Sequence, residues 1–307
     1  MQLTHYKDLG SCSDLLCDED ASELADDSPD RSRDAEFPDD SDESIAGFIE
    51  GEADYTPGFD YPARFRSNSL DSTSRREAVA WILKVSAYYR FQDLTSYLAV
   101  NYMDRFLASH RLPQNVWALQ LLSVASLSLA AKMEETLVPT LLDLQIEGAE
   151  FVFEPRTIRR MELLVLGALD WRLRSVTPFT YVDFFACKLD PSGKSATYLI
   201  SCASSIILAT LHDIEFLSHC PSSLAAAAII HAAEDVADLA LIDAGIAVSW
   251  CIGLTEDGIG NCYRLMRRVA EGAMLKNPLV NMGSRVSPAS LPPAKRRRKM
   301  SIGGRIS

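Results

Sequence analysis

The sequence predicts an all-α protein in which two helical units follow one another along the chain. Residues 118–131 carry no charge, and Leu, Val, Ala and Ser alternate around the whole helical circumference. Such a segment is typical of a helix that is buried on every side. A second small-residue run, residues 222–233, follows about 95 residues later, and no stretch shows convincing strand alternation.

The first unit contains five predicted helical segments. Each has apolar residues at three- and four-residue spacing or a recognisable start, and Pro113 and Pro139 mark breaks between them. Pro155 suits the first turn of the last segment because its missing N–H is not needed there. The segments are Arg75–Arg90, Leu94–Leu107, residues 118–135, Thr140–Gln145 and a helix beginning at Pro155.

The second unit repeats this texture after Pro178. One internal similarity is weak evidence of duplication, but two successive units, each with an alanine-rich middle helix, are an economical interpretation. The pattern of residues 237–250 fits either a helix or an ordered loop. The predicted helices are Phe179–Leu189, Lys194–Leu211, Ser222–Val236 and Glu256–Met274.

The charge of the chain is concentrated in its N-terminal part. Residues 1–60 hold 19 acidic and three basic residues, a net charge of −16, whereas the remaining 23 acidic and 27 basic residues give +4. We expect residues 1–63 to form a disordered acidic arm, because so few large apolar residues cannot offset the entropy of ordering. Within it, residues 44–49 fit a short docking helix or strand, or a stray apolar cluster. Residues 276–307 are expected to form a flexible basic tail.

The cysteines and the absence of long apolar runs indicate the compartment. Seven cysteines without a CxxC pair argue against a disulfide framework and a structural zinc site, and are typical of a reducing environment. The N-terminus lacks the pattern of a secretory signal, and no run reaches eighteen apolar residues. We therefore expect a soluble intracellular protein without a membrane contact.

Four motifs in a fixed order resemble the cyclin box. They are Trp81-Ile82-Leu83, Asn101-Tyr102-Met103-Asp104-Arg105-Phe106-Leu107, Lys132-Met133-Glu134-Glu135 and Arg160-Met161-Glu162-Leu163-Leu164. With Leu15-Leu16-Cys17-Asp18-Glu19, the whole chain is similar to plant D-type cyclins. The resemblance implies two consecutive five-helix cyclin folds, the cyclin box at 64–176 and the C-terminal cyclin fold at 177–275.

That resemblance implies a non-catalytic subunit that binds and activates a cyclin-dependent kinase. Lys132 and Glu162 match the family's kinase-contacting pair, and Glu134 and Glu135 lie in the same motif. Alternatively, Lys132 complements the dipole at a helix C-terminus and Glu162 is a solvated carboxylate in a first turn. Arg75 and Asp104 match an internal ion pair of the family, which we expect to be structural. No cofactor is implied.

One departure from the family concerns the apolar patch that captures RxL-type substrate peptides. The positions that carry it are occupied by Ser74, Glu77 and Ala78, and Lys84 stands where the family has an acid. Trp81, Leu119 and Gln120 remain. A basic peptide should therefore bind here differently or weakly.

Leu15, Cys17 and Glu19 form the LxCxE pattern of peptides that retinoblastoma-type proteins hold in an extended groove. In an extended segment alternate side chains face the same way, so all three face one pocket. Neighbouring acids add long-range attraction to a basic rim. The alternative is an accidental match. The partners implied are thus a cyclin-dependent kinase, a retinoblastoma-related protein and cyclin-dependent kinase inhibitors, with promotion of the G1/S transition as the outcome.

The two tails carry further signals. The acidic arm resembles turnover-promoting segments, and Ser28-Pro29 and Thr56-Pro57 fit proline-directed phosphorylation. A merely solvating arm is the alternative. The basic run Lys295, Arg296, Arg297, Arg298 and Lys299 indicates nuclear import, so we expect a nuclear protein with a cytoplasmic pool, although nonspecific nucleic-acid attraction also explains such a run.

Two other classes compete with this interpretation. A nucleic-acid-binding transcription factor of the same double helical fold needs an extended basic surface, whereas residues 118–257 hold at least as many acids as bases. We therefore expect no direct nucleic-acid contact. An enzyme needs a catalytic constellation, but His5, His110, His212, His219 and His231 fit no triad or metal spacing, and no phosphate-binding glycine loop is present.

Overall fold

The structure is a computed structural model that describes residues 42–58, 60–67, 70–113, 116–145, 151–237, 239 and 242–276. These residues form α-helices, short 3₁₀ turns and connecting loops, and no strand occurs among them. The predicted all-α class and its two-unit organisation are confirmed. No helix in this part of the chain has the length and apolarity needed to cross a bilayer.

Eleven α-helices are present in the described residues. Helix α1 precedes the predicted first unit, α2 spans its predicted start at residue 64, four more helices belong to that unit, and five belong to the second. They are α1 Asp42–Gly51, α2 Tyr61–Arg66, α3 Ser72–Tyr89, α4 Asp93–Ser109, α5 Val116–Glu134, α6 Pro155–Ala168, α7 Phe179–Leu189, α8 Ala196–Thr210, α9 Pro221–Ala233, α10 Ala244–Ala247 and α11 Glu256–Lys276.

Helix α5 is the centre of the first unit. All residues from 121 to 131 are buried, as predicted from the absence of a polar face. Helices α3, α4 and α6 pack around it. The small residues of α5 allow these neighbours to approach closely, and its charged end at Lys132 reaches the surface.

Helix α9 has the corresponding position in the second unit. Residues 221–230 are all buried, and α7, α8 and α11 pack against the helix. Phe185 contributes an aromatic layer, with its ring centroid 5.8 Å from that of Tyr181 and 5.6 Å from that of Trp250. The two small-residue runs recognised in the sequence are thus the two central helices.

Two predicted elements differ from the structure. Residues 140–145 were expected to be helical but form one turn, closed by a hydrogen bond from Leu144 N to Thr140 O (2.9 Å). The segment is too short to propagate a helix beyond one turn. Residues 237–250, which the sequence left open, contain the short α10 and the 3₁₀ turn Val248–Trp250.

The predicted disorder of the arm is wrong for residues 42–58 and 60–63. Helix α1 begins at Asp42, and its Ile45 is buried in the core of the second unit. Asp42 also pairs with Lys188 (Oδ1 to Nζ 2.7 Å), and the Ile49 side chain packs on Gly253. Of the interpretations that the sequence left open for residues 44–49, the short docking helix is therefore confirmed. The composition of the arm did not indicate its order, because the few apolar residues of α1 find their partners far along the chain.

Gly253 shows how closely α1 approaches the second unit. Its φ of +99° lies in the left-handed region that favours glycine, and an added Cβ would meet Ile49 Cγ2 at 2.8 Å. The position of α1 against the second unit therefore requires glycine at residue 253.

Glu52, just after α1, is a buried carboxylate that holds the N-terminus of α9. Its oxygens accept hydrogen bonds from Ser222 N (2.8 Å), Ser222 Oγ (2.8 Å) and Tyr181 OH (3.1 Å). Ser222 N is one of the first amides of α9, which have no partner within the helix. Burial raises the pKa of Glu52, and the hydrogen bonds from Ser222 and Tyr181 oppose this shift.

The chain then crosses from the second unit to the first. The carbonyl of Tyr55 accepts from Asn101 Nδ2 (2.9 Å), and Arg64 Nη1 donates to Leu107 O (2.7 Å). Residues 42–58 and 60–66 thus form an N-terminal clasp that attaches α1 to the second unit and α2 to the first.

A buried ion pair joins the clasp to both units. Arg75 Nε and Nη2 donate to Asp104 Oδ1 and Oδ2 at 2.8 and 2.7 Å, and both side chains are almost fully buried. Tyr61 OH donates to Asp104 Oδ1 (2.8 Å), and Arg75 Nη1 donates to Leu211 O (2.9 Å) of the second unit. The charge and hydrogen-bonding capacity of both groups are therefore used within the protein.

Replacing Asp104 by Ala leaves the Arg75 guanidinium buried without its carboxylate. We expect the free energy of unfolding to fall by about 3–5 kcal/mol, measured by chemical denaturation. The matched control is Glu271→Ala, which removes one partner of the exposed Arg267–Glu271 pair (3.5 Å) and should leave the unfolding midpoint unchanged. Equal midpoints for Asp104→Ala and the unmodified protein would contradict the role given to the pair.

Substitutions of Glu52 separate hydrogen bonding from charge. Glu52→Ala leaves the Ser222 and Tyr181 donors buried without an acceptor, and each should cost about 1–3 kcal/mol of unfolding free energy. Glu52→Gln keeps an oxygen acceptor and should cost much less.

Because burial raises the folded-state pKa of Glu52, the folded protein binds its proton more readily than the unfolded chain does.

That linkage fixes the direction of the pH effect. Protonation of Glu52 increases the free energy of unfolding as the pH falls through the raised pKa. This contribution is lost as the pH rises through that pKa. The unmodified protein should therefore gain stability relative to Glu52→Gln as the pH is lowered toward the ordinary glutamate value of 4.5. Thermal melts of both proteins across this range measure the difference, and a pH-independent difference would show that Glu52 is not desolvated.

Candidate partner-binding surface

Lys132 and Glu162 lie together on the surface of the first unit. Lys132 Nζ is 2.6 Å from Glu162 Oε1, with the lysine side chain 43% exposed and the glutamate side chain 9% exposed. Lys132 stands in the last turn of α5, and Glu162 lies in the middle of α6. The packing of these two helices therefore fixes the position of both charges.

The geometry of the pair is compatible with both interpretations of Lys132, as a kinase-contacting residue and as a cation at a helix C-terminus. It shows that the alternative interpretation of Glu162, a solvated carboxylate in a first turn, is wrong. Lys132 does lie where a cation complements the negative end of the α5 dipole. Glu162 is neither solvated nor in the first turn of α6, which begins at Pro155. A lysine that reaches solvent while its partner carboxylate is buried presents a positive charge held in one place.

Glu134 and Glu135 have different surroundings from Lys132. Glu135 Oε1 accepts from Gln92 N (2.8 Å) and Thr95 Oγ1 (2.6 Å), so it caps the start of α4. Glu134 is half-buried. The pKa of Tyr102 is raised first by the burial of Tyr102 and then by the negative charge of Glu134. The sequence analysis grouped both with the kinase-binding residues and missed the capping role of Glu135.

Large apolar side chains are exposed on α6, just beyond the end of α5 and in the turn after α6. Leu137, just beyond the end of α5, is 85% exposed, and Leu163, next to Glu162, is 61% exposed. Met133 and Trp171 are also exposed. Exposed large apolar side chains on the elements that carry a fixed ion pair are typical of a protein-binding surface. We call Lys132, Met133, Leu137, Glu162, Leu163 and Trp171 the α5–α6 surface.

The turn after α6 is unusual because two successive non-glycine residues adopt left-handed backbone conformations. Asp170 has φ +50° and Trp171 has φ +60°, and Trp171 N donates to Leu166 O (2.9 Å). A bulky residue in this region is uncommon and costs conformational energy. The turn directs an indole outward that is 69% exposed, which sequence periodicity could not indicate.

The residues of the altered RxL patch lie on α3. Ser74 belongs to the N-cap of this helix, with its hydroxyl donating to Asp71 Oδ2 (2.6 Å), and Ala78 is buried. Glu77 and Lys84 are exposed. The patch therefore presents two opposite charges and one buried methyl group, which is a poor match to an apolar pocket.

Other residues of the patch are engaged within the protein. Gln120 Nε2 donates to Phe151 O (3.1 Å), Leu119 is partly buried, and Trp81 Nε1 is buried without a hydrogen-bond partner. These contacts support the expectation that basic substrate peptides bind here differently or weakly, which stays a prediction.

Several predicted site residues fall outside the described part of the chain. They are Leu15, Cys17 and Glu19 of the LxCxE pattern and Lys295, Arg296, Arg297, Arg298 and Lys299 of the basic run. Among the described residues, no group of three His, Cys, Asp or Glu side chains could hold a metal ion.

The described histidines take part in local contacts. His110 Nδ1 is hydrogen-bonded to Ser109 Oγ (2.8 Å), and His231 Nδ1 is 3.6 Å from Glu234 Oε2. Burial lowers the pKa of His212 and of His219. Each is thus explained by its packing.

Comparison with known proteins identifies the family. The family model described as the cyclin N-terminal domain matches residues 43–174, and the one described as the cyclin C-terminal domain matches residues 176–281. The first match begins within α1, so the clasp belongs to the family domain. Solved structures agree with the fold. A viral cyclin from herpesvirus saimiri superposes with a TM-score of 0.59 at 16% identity, covering 66% of this chain and 87% of that one.

Similar full-length proteins narrow the family further. Cyclin-D1-1 of Arabidopsis thaliana is 50% identical over 278 residues, covering 89% of this chain and 82% of the relative. Cyclin-D2-1 of Oryza sativa subsp. japonica is 57% identical over 230 residues, covering 75% and 71%. The chain therefore belongs to the cyclin family, in the group of plant D-type cyclins. Members of this family are regulatory subunits of kinases, so the chain is a regulatory protein and not an enzyme.

A second solved structure shares the fold at low identity. A chain of the yeast RNA polymerase II CTD kinase CTDK-1 complex superposes with a TM-score of 0.56 at 14% identity, covering 76% of this chain and 79% of that one. This likeness concerns the helical architecture alone.

Proposed function

We propose that this protein binds and activates a cyclin-dependent protein kinase through the α5–α6 surface. The observation that carries the proposal is the Lys132–Glu162 pair, held at 2.6 Å on two packed helices that, with the segments following them, also expose large apolar side chains. Membership of the D-type cyclins supports it, because the family implies a kinase partner. The two charges match the positions through which the family contacts that partner.

A rigid surface can activate a kinase without taking part in its chemistry. Phosphoryl transfer requires a Glu on the mobile regulatory helix of the kinase to pair with the ATP-binding Lys. A partner that binds only the inward position of this helix shifts the population toward the active arrangement. The buried core around α5 makes the α5–α6 surface stiff enough to discriminate between the two positions.

The apolar and charged residues contribute differently. Burial of Leu137, Leu163 and Trp171 against the kinase supplies most of the affinity, because these side chains expose large apolar areas in the free protein. The Lys132–Glu162 pair is already formed, so little side-chain entropy remains to be lost on binding. Its charges orient the partner and disfavour wrong ones.

Reversing the charge of Lys132 tests the proposal. Lys132→Glu places a second carboxylate beside Glu162, and we expect loss of co-purification with the cyclin-dependent kinase while the helical content by circular dichroism is unchanged. The matched control is Lys194→Glu, the same change at an exposed position before α8, which should retain the kinase.

A second variant keeps the test independent of folding. Leu137 is 85% exposed, so Leu137→Asp cannot remove core packing, and we expect the kinase affinity to fall at least ~10-fold. Undiminished kinase binding by both Lys132→Glu and Leu137→Asp would remove the α5–α6 surface from the interface.

We further propose that the chain recruits a retinoblastoma-related protein for phosphorylation and thereby promotes the G1/S transition. Leu15, Cys17 and Glu19 support this, because their alternate spacing presents three side chains to one groove in an extended peptide. Asp14, Asp18 and Asp20 favour a basic rim on the partner.

A peptide spanning residues 14–20 tests the recruitment step. We expect it to bind a retinoblastoma pocket domain, and Cys17→Lys should weaken binding at least ~10-fold because a charged side chain cannot enter a small apolar pocket. Leu16→Ala is the matched control, since residue 16 faces away from the groove and should have little effect. Fluorescence polarisation measures both, and equal affinities for the Cys17 variant and the parent peptide would contradict the proposal.

We also propose that Lys295–Lys299 directs nuclear import, because a compact basic run is the usual recognition element of import receptors. A fluorescent fusion of the full chain with these five residues replaced by Ala should shift from the nucleus to the cytoplasm. The same five substitutions should leave kinase binding intact.

A further inference from the structure

The Thr56-Pro57 dipeptide lies at the crossing point of the N-terminal clasp. On its N-terminal side Glu52 is bound to Ser222 and Tyr181 of the second unit, and on its C-terminal side Tyr61 is bound to Asp104 of the first. Thr56 and Pro57 also cover a small cavity of about 50 Å³ between the two units. A change at Thr56 therefore acts where the two attachments of the clasp meet.

We propose that Thr56 is a phosphorylation site for a proline-directed protein kinase and that its modification loosens the clasp. Thr56 is partly exposed, and its backbone is extended at φ −101° and ψ 154°, the conformation that a following proline favours. Its hydroxyl makes one hydrogen bond, to Ala53 O at 2.9 Å. The group to be modified is thus accessible and weakly held. The modifying kinase need not be the partner that binds the α5–α6 surface.

The transfer consumes ATP. Thr56 Oγ1 attacks the γ-phosphorus of Mg²⁺-bound ATP, an O–P bond forms, and the bond from phosphorus to the β,γ-bridging oxygen breaks to release ADP. The hydroxyl proton passes to the catalytic carboxylate of the kinase and then to solvent. The product is a phosphothreonine with a charge of about −2 at neutral pH.

The product is incompatible with the contact that the hydroxyl makes. The esterified Oγ1 carries no hydrogen, so it cannot donate to Ala53 O, and two acceptor oxygens would face each other across the former 2.9 Å hydrogen bond. Glu52 and Asp54 lie four and two residues before the phosphate and add like-charge repulsion. The phosphate therefore weakens the 3₁₀ turn Glu52–Tyr55, which then keeps only the longer bond from Thr56 N to Ala53 O (3.3 Å) at this end.

Three arginines near the clasp already have partners within the protein. Arg75 donates to Asp104 and to Leu211 O, and Arg172 lies 3.8 Å from Asp54. Arg105 donates to Arg172 O (3.1 Å) and lies over the ring of Tyr55. Burial lowers the pKa of His219, which lines the same cavity and is neutral at physiological pH. A phosphate on Thr56 that pairs with one of these arginines competes with its present contact, and this competition weakens the clasp.

Thr177-Pro178 provides an internal comparison. It is the same dipeptide at the junction of the two units, but Thr177 is 1% exposed. A proline-directed kinase should therefore modify Thr56 and leave Thr177 unmodified as long as the protein is folded.

The experiment uses the full chain with Mg²⁺, ATP and a purified proline-directed serine/threonine kinase. Mass spectrometry should locate phosphate on Thr56 and not on Thr177. Hydrogen–deuterium exchange of the α1 amides, Asp42–Gly51, should then become at least ~10-fold faster, because α1 detaches from the second unit, while exchange of α5 is unchanged.

Two variants separate modification from substitution. Thr56→Val preserves the side-chain shape but cannot accept phosphate, so kinase and ATP should not change its α1 exchange. Thr56→Ser remains a substrate and should respond as Thr56 does. The proposal is overturned if Thr56 stays unmodified, if Thr177 is modified to the same extent, or if stoichiometric phosphate on Thr56 leaves or slows α1 exchange.

Discussion

The Arg75–Asp104 ion pair is the interaction on which the arrangement of helices depends. It joins α3 to α4 within the first unit, receives Tyr61 from the clasp, and reaches the second unit through Leu211 O. Although burial alone would lower the pKa of Arg75, the Asp104 carboxylate raises it, so the guanidinium remains charged. Burial of Tyr61 and, next in importance, the negative charge of Asp104 raise the pKa of Tyr61, so its phenol keeps its proton and donates a hydrogen bond. One charged cluster thus holds three parts of the chain in register.

The surface proposed for kinase binding depends on this framework indirectly. Lys132 and Glu162 are on α5 and α6, and their separation is fixed by how these helices pack around the buried run of α5. Glu135 connects the end of α5 to the start of α4, whose Asp104 belongs to the ion pair. The helices that carry Lys132 and Glu162 are therefore connected to the helices that carry the buried Arg75–Asp104 pair.

The sequence predicted the long helices well because their signals are local. The start of α6 at Pro155 and the buried character of α5 and α9 were confirmed by the structure. The same reasoning allowed a short helix at residues 44–49 but did not predict the order of α1 and Glu52, which comes from contacts with Ser222, Lys188 and Gly253 far along the chain. It also could not place Trp171, because a left-handed backbone at a tryptophan has no local sequence signal. Resemblance to a family pointed to Lys132 and Glu162, whereas the capping contacts of Glu135 required coordinates.

The distant seat of α1 has a consequence for synthesis in the cell. Ile45 packs into a core that includes Trp250, so about two hundred residues must be translated before its binding site exists. At roughly 5–20 residues per second, the ribosome needs about 10–40 s to supply them. During that interval the first unit can collapse around α5, whereas the nascent α1 remains exposed to chaperones and proteases. Synthesis of the second unit, rather than folding of the helices around α5, is the event that protects α1.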